Sequence, residues 1–422
     1  MRPVLLFLAF APLVIRAENR IAFRDIPFDS LLRAAAREKK AVFLYFHFTG
    51  CGACLQMEKT AMADSSVAVW WNEHFISFEV NTLTDEGRKI NAAYGVEMHP
   101  TFLFLDPDGR ELHKITGVFS PQNFLLQGQQ ALSSSNTLWA MRARYEAGER
   151  DPDFLYTYCY MLRDAWQLTS DVVNAYLAQL SPQQLDEERN IRFIYEFCLH
   201  HYKVLIPYGS PAFTHLIQHQ DRYVRFFPAD QVDTRIVWIL STATWNAIEA
   251  QDRERFDELL RALEPYDKGG PHSFREMDNR ITGMTSSRHL VAGARMEFFD
   301  RSSDREAYLR ARKDYLRLIR KDASELNTYA WGTFERSEDP EKLKMALKCA
   351  HRAVRLEYAY AHLDTQAWLL YATGDFKGAI RQGYKAIEQA KKENQDYSET
   401  EKLLRMAREK YGKNWSPSNC WC

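Results

Sequence analysis

Two hydrophobic rhythms alternate over the first third of the chain. Residues 41–48 form an almost unbroken apolar and aromatic run, Ala-Val-Phe-Leu-Tyr-Phe-His-Phe, with strong β preference. Residues 75–80 and 101–105 repeat that character. Residues 111–116 read as a return strand after the turn signal Asp106-Pro107-Asp108-Gly109. Between the runs the apolar spacing becomes helical. Residues 28–39 carry Phe28, Leu31, Leu32 and Ala35 on one side, 55–62 contain no Gly or Pro, and 85–94 stop at Gly95. Residues 120–132 start with Pro121 in the first turn. The predicted order is β-α-β-α-β-β-α, with an extra short helix at 65–73.

Beyond Ser133-Ser134-Ser135-Asn136, the best linker candidate, almost no strand pattern is left. Helical spacing covers 154–166, 172–180, 191–202, 213–226, 235–249, 256–263, 289–299 and 307–319. Pro182, Pro207, Pro211, Pro228 and Pro265 punctuate these segments. Such lengths suit stacked helix hairpins. Near the C-terminus the pattern repeats. Asn327-Thr328-Tyr329-Ala330-Trp331 matches Asp364-Thr365-Gln366-Ala367-Trp368 at an offset of 37, and Ala346, Ala350 and Ala353 match Ala379, Gly383 and Ala386 at an offset of 33. The predicted domains are 18–135 and an all-helical 136–422, with the repeats at about 326–393.

Composition narrows the function. The 422 residues carry 55 Lys and Arg against 56 Asp and Glu, a net charge of −1 that gives no basic excess for nucleic acid. Seven cysteines are too few for a disulfide scaffold. A mean hydropathy of −0.44 excludes a polytopic membrane protein. Residues 1–17 stand apart: Arg2, then an uncharged apolar stretch from Pro3 to Ile15, then Arg16-Ala17. That is the form of a cleavable secretory signal peptide, with cleavage near Ala17 and a periplasmic or secreted destination where disulfides persist.

The chemistry concentrates at Cys51-Gly52-Ala53-Cys54, where the first strand hands over to a helix. Cys51 falls at the helix N-cap, among unpaired backbone N–H groups and at the positive end of the helix dipole, and both favour the thiolate. Cys54 lies one turn further in. A lone CxxC also suits zinc, but no second CxxC or CxxH follows at ligand spacing.

These residues, with Tyr94-Gly95-Val96 and Pro100-Thr101 about 45 residues after the pair, resemble the thioredoxin superfamily. More narrowly, Cys51-x-x-Cys54-x-x-Met57-Glu58, the aromatic-rich 69–78 segment and Pro100-Thr-Phe-Leu-Phe-Leu-Asp-Pro-Asp-Gly109 look like the extracytoplasmic C-terminal domain of transmembrane thiol:disulfide interchange proteins. The likeness covers roughly 20–134. It implies a central mixed sheet flanked by helices, attack by Cys51, resolution by Cys54, and a cis Pro100 facing the pair. His99 would then lie beside the disulfide, where an imidazole tunes thiolate formation or simply meets water. Gly50, His99, Pro100 and Thr101 are the expected substrate-contact residues. Gly50 stands where many relatives carry Trp, and Tyr45 where many carry a buried acid. Glu58 is a candidate substitute for that acid or a solvated helix residue, and His47 is expected to pack rather than react. The second C-terminal copy resembles a tetratricopeptide repeat through Ala367, Gly374-Asp375-Phe376, Ala379 and Ala386.

The expected function is an exported thiol-disulfide oxidoreductase, a reductase or isomerase, acting on protein clients with disulfides or thiols. It needs no cofactor beyond the redox-active disulfide and no metal. A membrane electron donor and a peptide or protein ligand of the helical domain are the other expected partners. The competing reading is a binding module in which the first domain is a docking platform with a structural disulfide. Cys159, Cys198 and Cys349 fall in helical segments and are expected in the core. Cys420-Trp421-Cys422 reads as a non-catalytic tail, with redox use as the alternative. His215 and His219, spaced i, i+4, read as surface histidines. No Walker loop, GxGxxG or GxSxG motif is present.

Overall fold

The computed structural model describes residues 20–200, 203–266, 287–302 and 304–412. The leader expected at 1–17 and the Cys420-Trp421-Cys422 tail lie outside the described residues. The chain divides into two compact units, one ending at Arg235 and one starting at Ile236.

The first unit opens with α1 (Phe28–Glu38), β1 (Ala41–His47), α2 (Gly52–Lys59), α3 (Ser65–His74), β2 (Phe75–Asn81) and α4 (Asp85–Ala93). It continues with β3 (Thr101–Leu105), β4 (Glu111–Thr116) and α5 (Pro121–Ala131). Local chemistry sets the helix starts. Asp64 accepts from the Ser66 and Val67 N–H groups, Thr84 from Gly87, and Ser120 from Asn123 with Pro121 in the first turn. The strands order as β2-β1-β3-β4, with β1–β2 parallel and the other pairs antiparallel.

The central strand β1 is buried on both faces, which is why its sequence is a continuous apolar run rather than an alternation. Phe43 and Tyr45 face the same way as Phe102, Phe104 and Ile115, and pack with Cys51, Cys54, Met57, Trp71 and Phe124. Val42, Leu44 and Phe46 face Leu31, Ala35 and Ile90 with Leu103 and Leu105. Trp71 stacks on Phe124 at 4.3 Å. Gly128 is a point of close approach here, because a Cβ at that position would lie 2.6 Å from the Trp71 ring.

After the serine run, α6 (Leu138–Glu146) packs back on β4. The Leu138 N–H donates to Nδ1 of buried His113 (3.2 Å), so that nitrogen carries no proton and Nε2–H donates to Gln127 Oε1 (2.9 Å). Burial holds the His113 pKa below the ordinary imidazole value, against the Gln127 hydrogen bond. The sign of the linkage follows. The unfolded chain binds a proton below about pH 6.5 that the fold resists, so stability is full above that pH and falls as pH drops. We expect urea unfolding between about pH 7.5 and 5 to show this loss. Replacing His113 with Asn should lower stability throughout and remove up to about 1.4 kcal/mol per pH unit of the slope. An unchanged slope in the variant would remove His113 from the account.

The unit continues through α7 (Pro152–Asp164), α8 (Ser170–Leu177), α9 (Pro182–Leu185) and α10 (Glu188–Phe197). The helix expected over 191–202 stops at Phe197. A short β5 (Leu199–His200) pairs with β6 (Lys203–Val204), and the Leu205 N–H returns to the Cys198 carbonyl. The helix expected over 213–226 is likewise broken into α11 (Pro211–Gln218) and α12 (Gln220–Tyr223), with His219 leaving helical geometry at ψ 38°. His215 is buried, correcting its expected place on the surface. Its Nε2–H donates to Asp186 Oδ1 (2.7 Å), so Nδ1 accepts from the Tyr223 hydroxyl (2.8 Å), and Arg222 pairs with the same Asp186. Burial, helped by His219, pushes the His215 pKa down to about 4.

The unit boundary falls within α13 (Ala229–Glu249). Then come α14 (Arg253–Leu263), α15 (Ser287–Arg301), α16 (Arg305–Ile319), α17 (Ala323–Arg336), α18 (Pro340–Leu356), α19 (Tyr360–Ala372), α20 (Phe376–Glu393) and α21 (Ser398–Tyr411). The pairs α17–α18 and α19–α20 are hairpins, and α21 packs on α20. Buried Ala346, Ala350 and Ala353 lie in the first hairpin, and buried Ala379, Gly383 and Ala386 in the second. A Cβ at Gly383 would lie 2.9 Å from Leu404, which is how closely α21 approaches. Among the described residues no helix is long and apolar enough to cross a membrane.

Candidate functional site

The loop after β1 carries the chemistry. Gly50 adopts φ 96°, a left-handed conformation that favours glycine, and nothing lies within 4 Å of where its Cβ would be. The Cys51 N–H donates to the Phe48 carbonyl (3.1 Å), which closes the turn. Cys51 is the N-cap of α2, and its Sγ accepts the Cys54 N–H (3.2 Å). Cys51 and Cys54 form a disulfide with Cα atoms 5.3 Å apart. Both cysteines are buried, Cys54 (2% exposed) more deeply than Cys51 (8%). On reduction, the same N–H and the positive end of α2 would stabilise a Cys51 thiolate.

Sheet register brings the second half of the site alongside. Phe46 lies opposite Thr101, so the residues leaving β1 run beside those entering β3. The His99–Pro100 peptide is cis, and Pro100 is buried with its carbonyl accepting from Gly117. Thr101 Oγ1 donates to the Met98 carbonyl (2.7 Å), which leaves Thr116 Oγ1 to donate to it at 3.0 Å. The half-buried His99 ring meets Phe48 edge-on at 5.3 Å. Its Nε2 is shielded from solvent and has no hydrogen-bond partner among the described residues. Burial, and secondarily His47, push the His99 pKa below the usual imidazole value. Met57 adds a further tie, its Sδ accepting the Phe119 N–H (3.1 Å) and fastening the loop after β4 to α2.

Tyr45 is fully buried, stacked between His47 (4.9 Å) and Phe102 (5.4 Å), which bears out His47 as a packed side chain. Its hydroxyl donates to Glu58 Oε1 (2.8 Å). Burial and then Glu58 push the phenol far up, so it stays protonated. Glu79, opposite Tyr45 on β2, is held above the ordinary carboxylate range by lost hydration, against the pull of His47.

The structure thus brings Gly50, Cys51, Cys54, His99, Pro100 and Thr101 to one end of the sheet. Sequence reasoning missed Phe48, 36% exposed beside His99, although its place at the end of the β1 run was a visible signal. Cys159, Cys198 and Cys349 are free and buried. Burial pushes the Cys198 and Cys349 thiols up to about 11 and Cys159 higher still, so they do not compete as thiolates. Among the described residues no group of three or more His, Cys, Asp or Glu could hold a metal ion.

A disulfide at the start of a helix, beside a cis-proline strand on a four-stranded mixed sheet, defines a thiol-disulfide oxidoreductase-type fold. Residues 28–131 match the thioredoxin-like domain family and form a thioredoxin-like domain. Solved structures similar to the chain include a candidate disulphide-isomerase from Bacteroides thetaiotaomicron, 30% identical, covering 27% of this chain and 95% of that one, with a TM-score of 0.26. A thioredoxin from Thermus thermophilus is 28% identical, covering 26% of this chain and 87% of that one, with a TM-score of 0.24. The oxidised DsbD C-terminal domain from Neisseria meningitidis is 20% identical, covering 26% and 98%, also with a TM-score of 0.24. No curated protein matches the chain.

Proposed function

We propose that this protein is an exported thiol-disulfide oxidoreductase, a reductase or isomerase, whose clients are proteins with disulfides or thiols. The observation that carries the reading is the Cys51–Cys54 disulfide at the N-terminus of α2, with the outer sulfur held by the Cys54 N–H. In the reducing direction a dithiol donor, in the cell a membrane protein, first reduces the pair. The Cys51 thiolate then attacks a client disulfide, forming a mixed disulfide and releasing one client thiolate. Cys54 attacks Cys51 Sγ, the second client sulfur leaves as thiol, and two electrons have passed to the client. Pro100 and the flanking His99 and Thr101 line the client backbone, and open Gly50 leaves room above the sulfur. The helical unit holds clients through tetratricopeptide-like repeats. The Tyr45 hydroxyl, standing where many relatives carry a buried acid, donates to Glu58 of α2.

The test is the reduction potential of the pair in a variant whose other cysteines are Ser or Ala, equilibrated in dithiol and glutathione buffers. A reversible midpoint between about −270 mV and about −180 mV is expected, the lower end marking a reductase and the upper an isomerase. A midpoint near about −120 mV would make the protein an oxidant. A pair that does not cycle without denaturant would leave the disulfide structural and move the function to the helical unit.

A further inference from the structure

We propose that His99 is the proton acceptor for Cys51: in the reduced protein its Nε2 takes the thiol proton, and nucleophile and imidazole form a thiolate–imidazolium pair. This deepens the redox reading and rests on it. Three observations converge. The Phe46–Thr101 register and the Phe48–His99 ring contact place the imidazole beside the turn that the Cys51 N–H closes. Its Nε2 is enclosed yet unpaired among the described residues in the disulfide form. Leaving a buried polar atom unsatisfied is unfavourable, and a partner that exists only in the reduced state would relieve that cost. The remaining ionisable groups around it are already committed. His47 on β1 stacks on Tyr45, the Tyr45 hydroxyl holds Glu58 of α2, and Glu79 of β2 interacts with His47.

While the disulfide is closed, burial and then His47 both disfavour charge on the imidazole. Opening the disulfide places a thiol, and after proton transfer an anion, next to it, which favours the imidazolium. The proton balance is then complete. His99 Nε2 receives the Cys51 proton, the Cys51–client S–S bond forms as the client S–S bond breaks, and the imidazolium returns the proton to the departing client thiolate. The two electrons come from the dithiol that reduced the pair.

The test uses the full chain. In wild type, the His99 ring protons are titrated by NMR in the oxidised protein and again after dithiothreitol reduction. The His99 midpoint is expected to rise by at least about one pH unit on reduction, a tenfold change in proton affinity. An unmoved midpoint would overturn the proposal. In a Cys54→Ser background, Cys51 alkylation by iodoacetamide is followed against pH by mass spectrometry. His99→Gln and His99→Asn should each slow it about tenfold below its midpoint, with the plateau at high pH unchanged. Superimposed profiles would count against the proposal equally. A pair that cycles with dithiol while His99 does not respond defeats this proposal alone, whereas a pair that does not cycle defeats the parent reading.

Discussion

Changing Cys51 to Ser is expected to abolish the proposed thiol-disulfide exchange, and changing Cys54 to Ser to arrest it halfway. A serine hydroxyl at position 51 neither ionises near neutral pH nor attacks sulfur, so the variant should fall to the uncatalysed rate. With Cys51 intact and Cys54 replaced, the first attack still occurs, but only an external thiol can release the client. Intramolecular attack by well-oriented groups has effective molarities of about 10⁵ M or more, so release should slow at least about a thousandfold at millimolar thiol. The product is a one-to-one covalent adduct, visible on a non-reducing gel and dissolved by dithiothreitol. The asymmetry fits the two positions, Cys51 at the N-cap of α2 and the more deeply buried Cys54 further along the helix. Equal behaviour of the two variants, or normal turnover in either, would contradict the assignment.

Replacing Phe43 with Ala destabilises the thioredoxin-like unit by about 3–5 kcal/mol, the cost typical of truncating a fully buried aromatic ring. Phe43 has no exposed surface and meets Trp71 edge-on at 5.0 Å, Phe104 at 5.4 Å and Phe102 at 5.9 Å. The cavity would open among rings held by helices on one side and the sheet on the other, so it cannot close by moving one side chain. Single domains have total stabilities of about 5–15 kcal/mol, so the loss is a large share of the whole. Urea unfolding monitored by tryptophan fluorescence measures it. Leu126→Ala on the exposed side of α5 serves as the control and should stay within about 0.5 kcal/mol. A loss below about 1 kcal/mol for Phe43 would mean that this cluster is not the centre of the unit.

The thioredoxin-like domain was legible because its signals are local. A continuous apolar strand, a CxxC at its end and a Pro-Thr strand start each sit within a few residues. What stayed hidden depends on pairs far apart in the chain. The His113–Leu138 hydrogen bond spans 25 residues, and nothing in His113 itself distinguishes a buried junction from a solvated strand residue. His215 looked like half of an exposed pair because its partners, Asp186 and Tyr223, come from other elements. Tyr45 could be seen to displace an acid, but only the fold shows its hydroxyl held by Glu58 of α2. The break at residue 198 escaped because two-residue strands leave almost no periodicity to read.

Both edge strands of the sheet have neighbours among the described residues. Along β2 the Phe23–Arg24 segment bridges to Ser77, and β4 lies against α6 and α7. These neighbours shorten the run of unpaired backbone open to strand-to-strand association of two copies, the usual hazard of an open sheet.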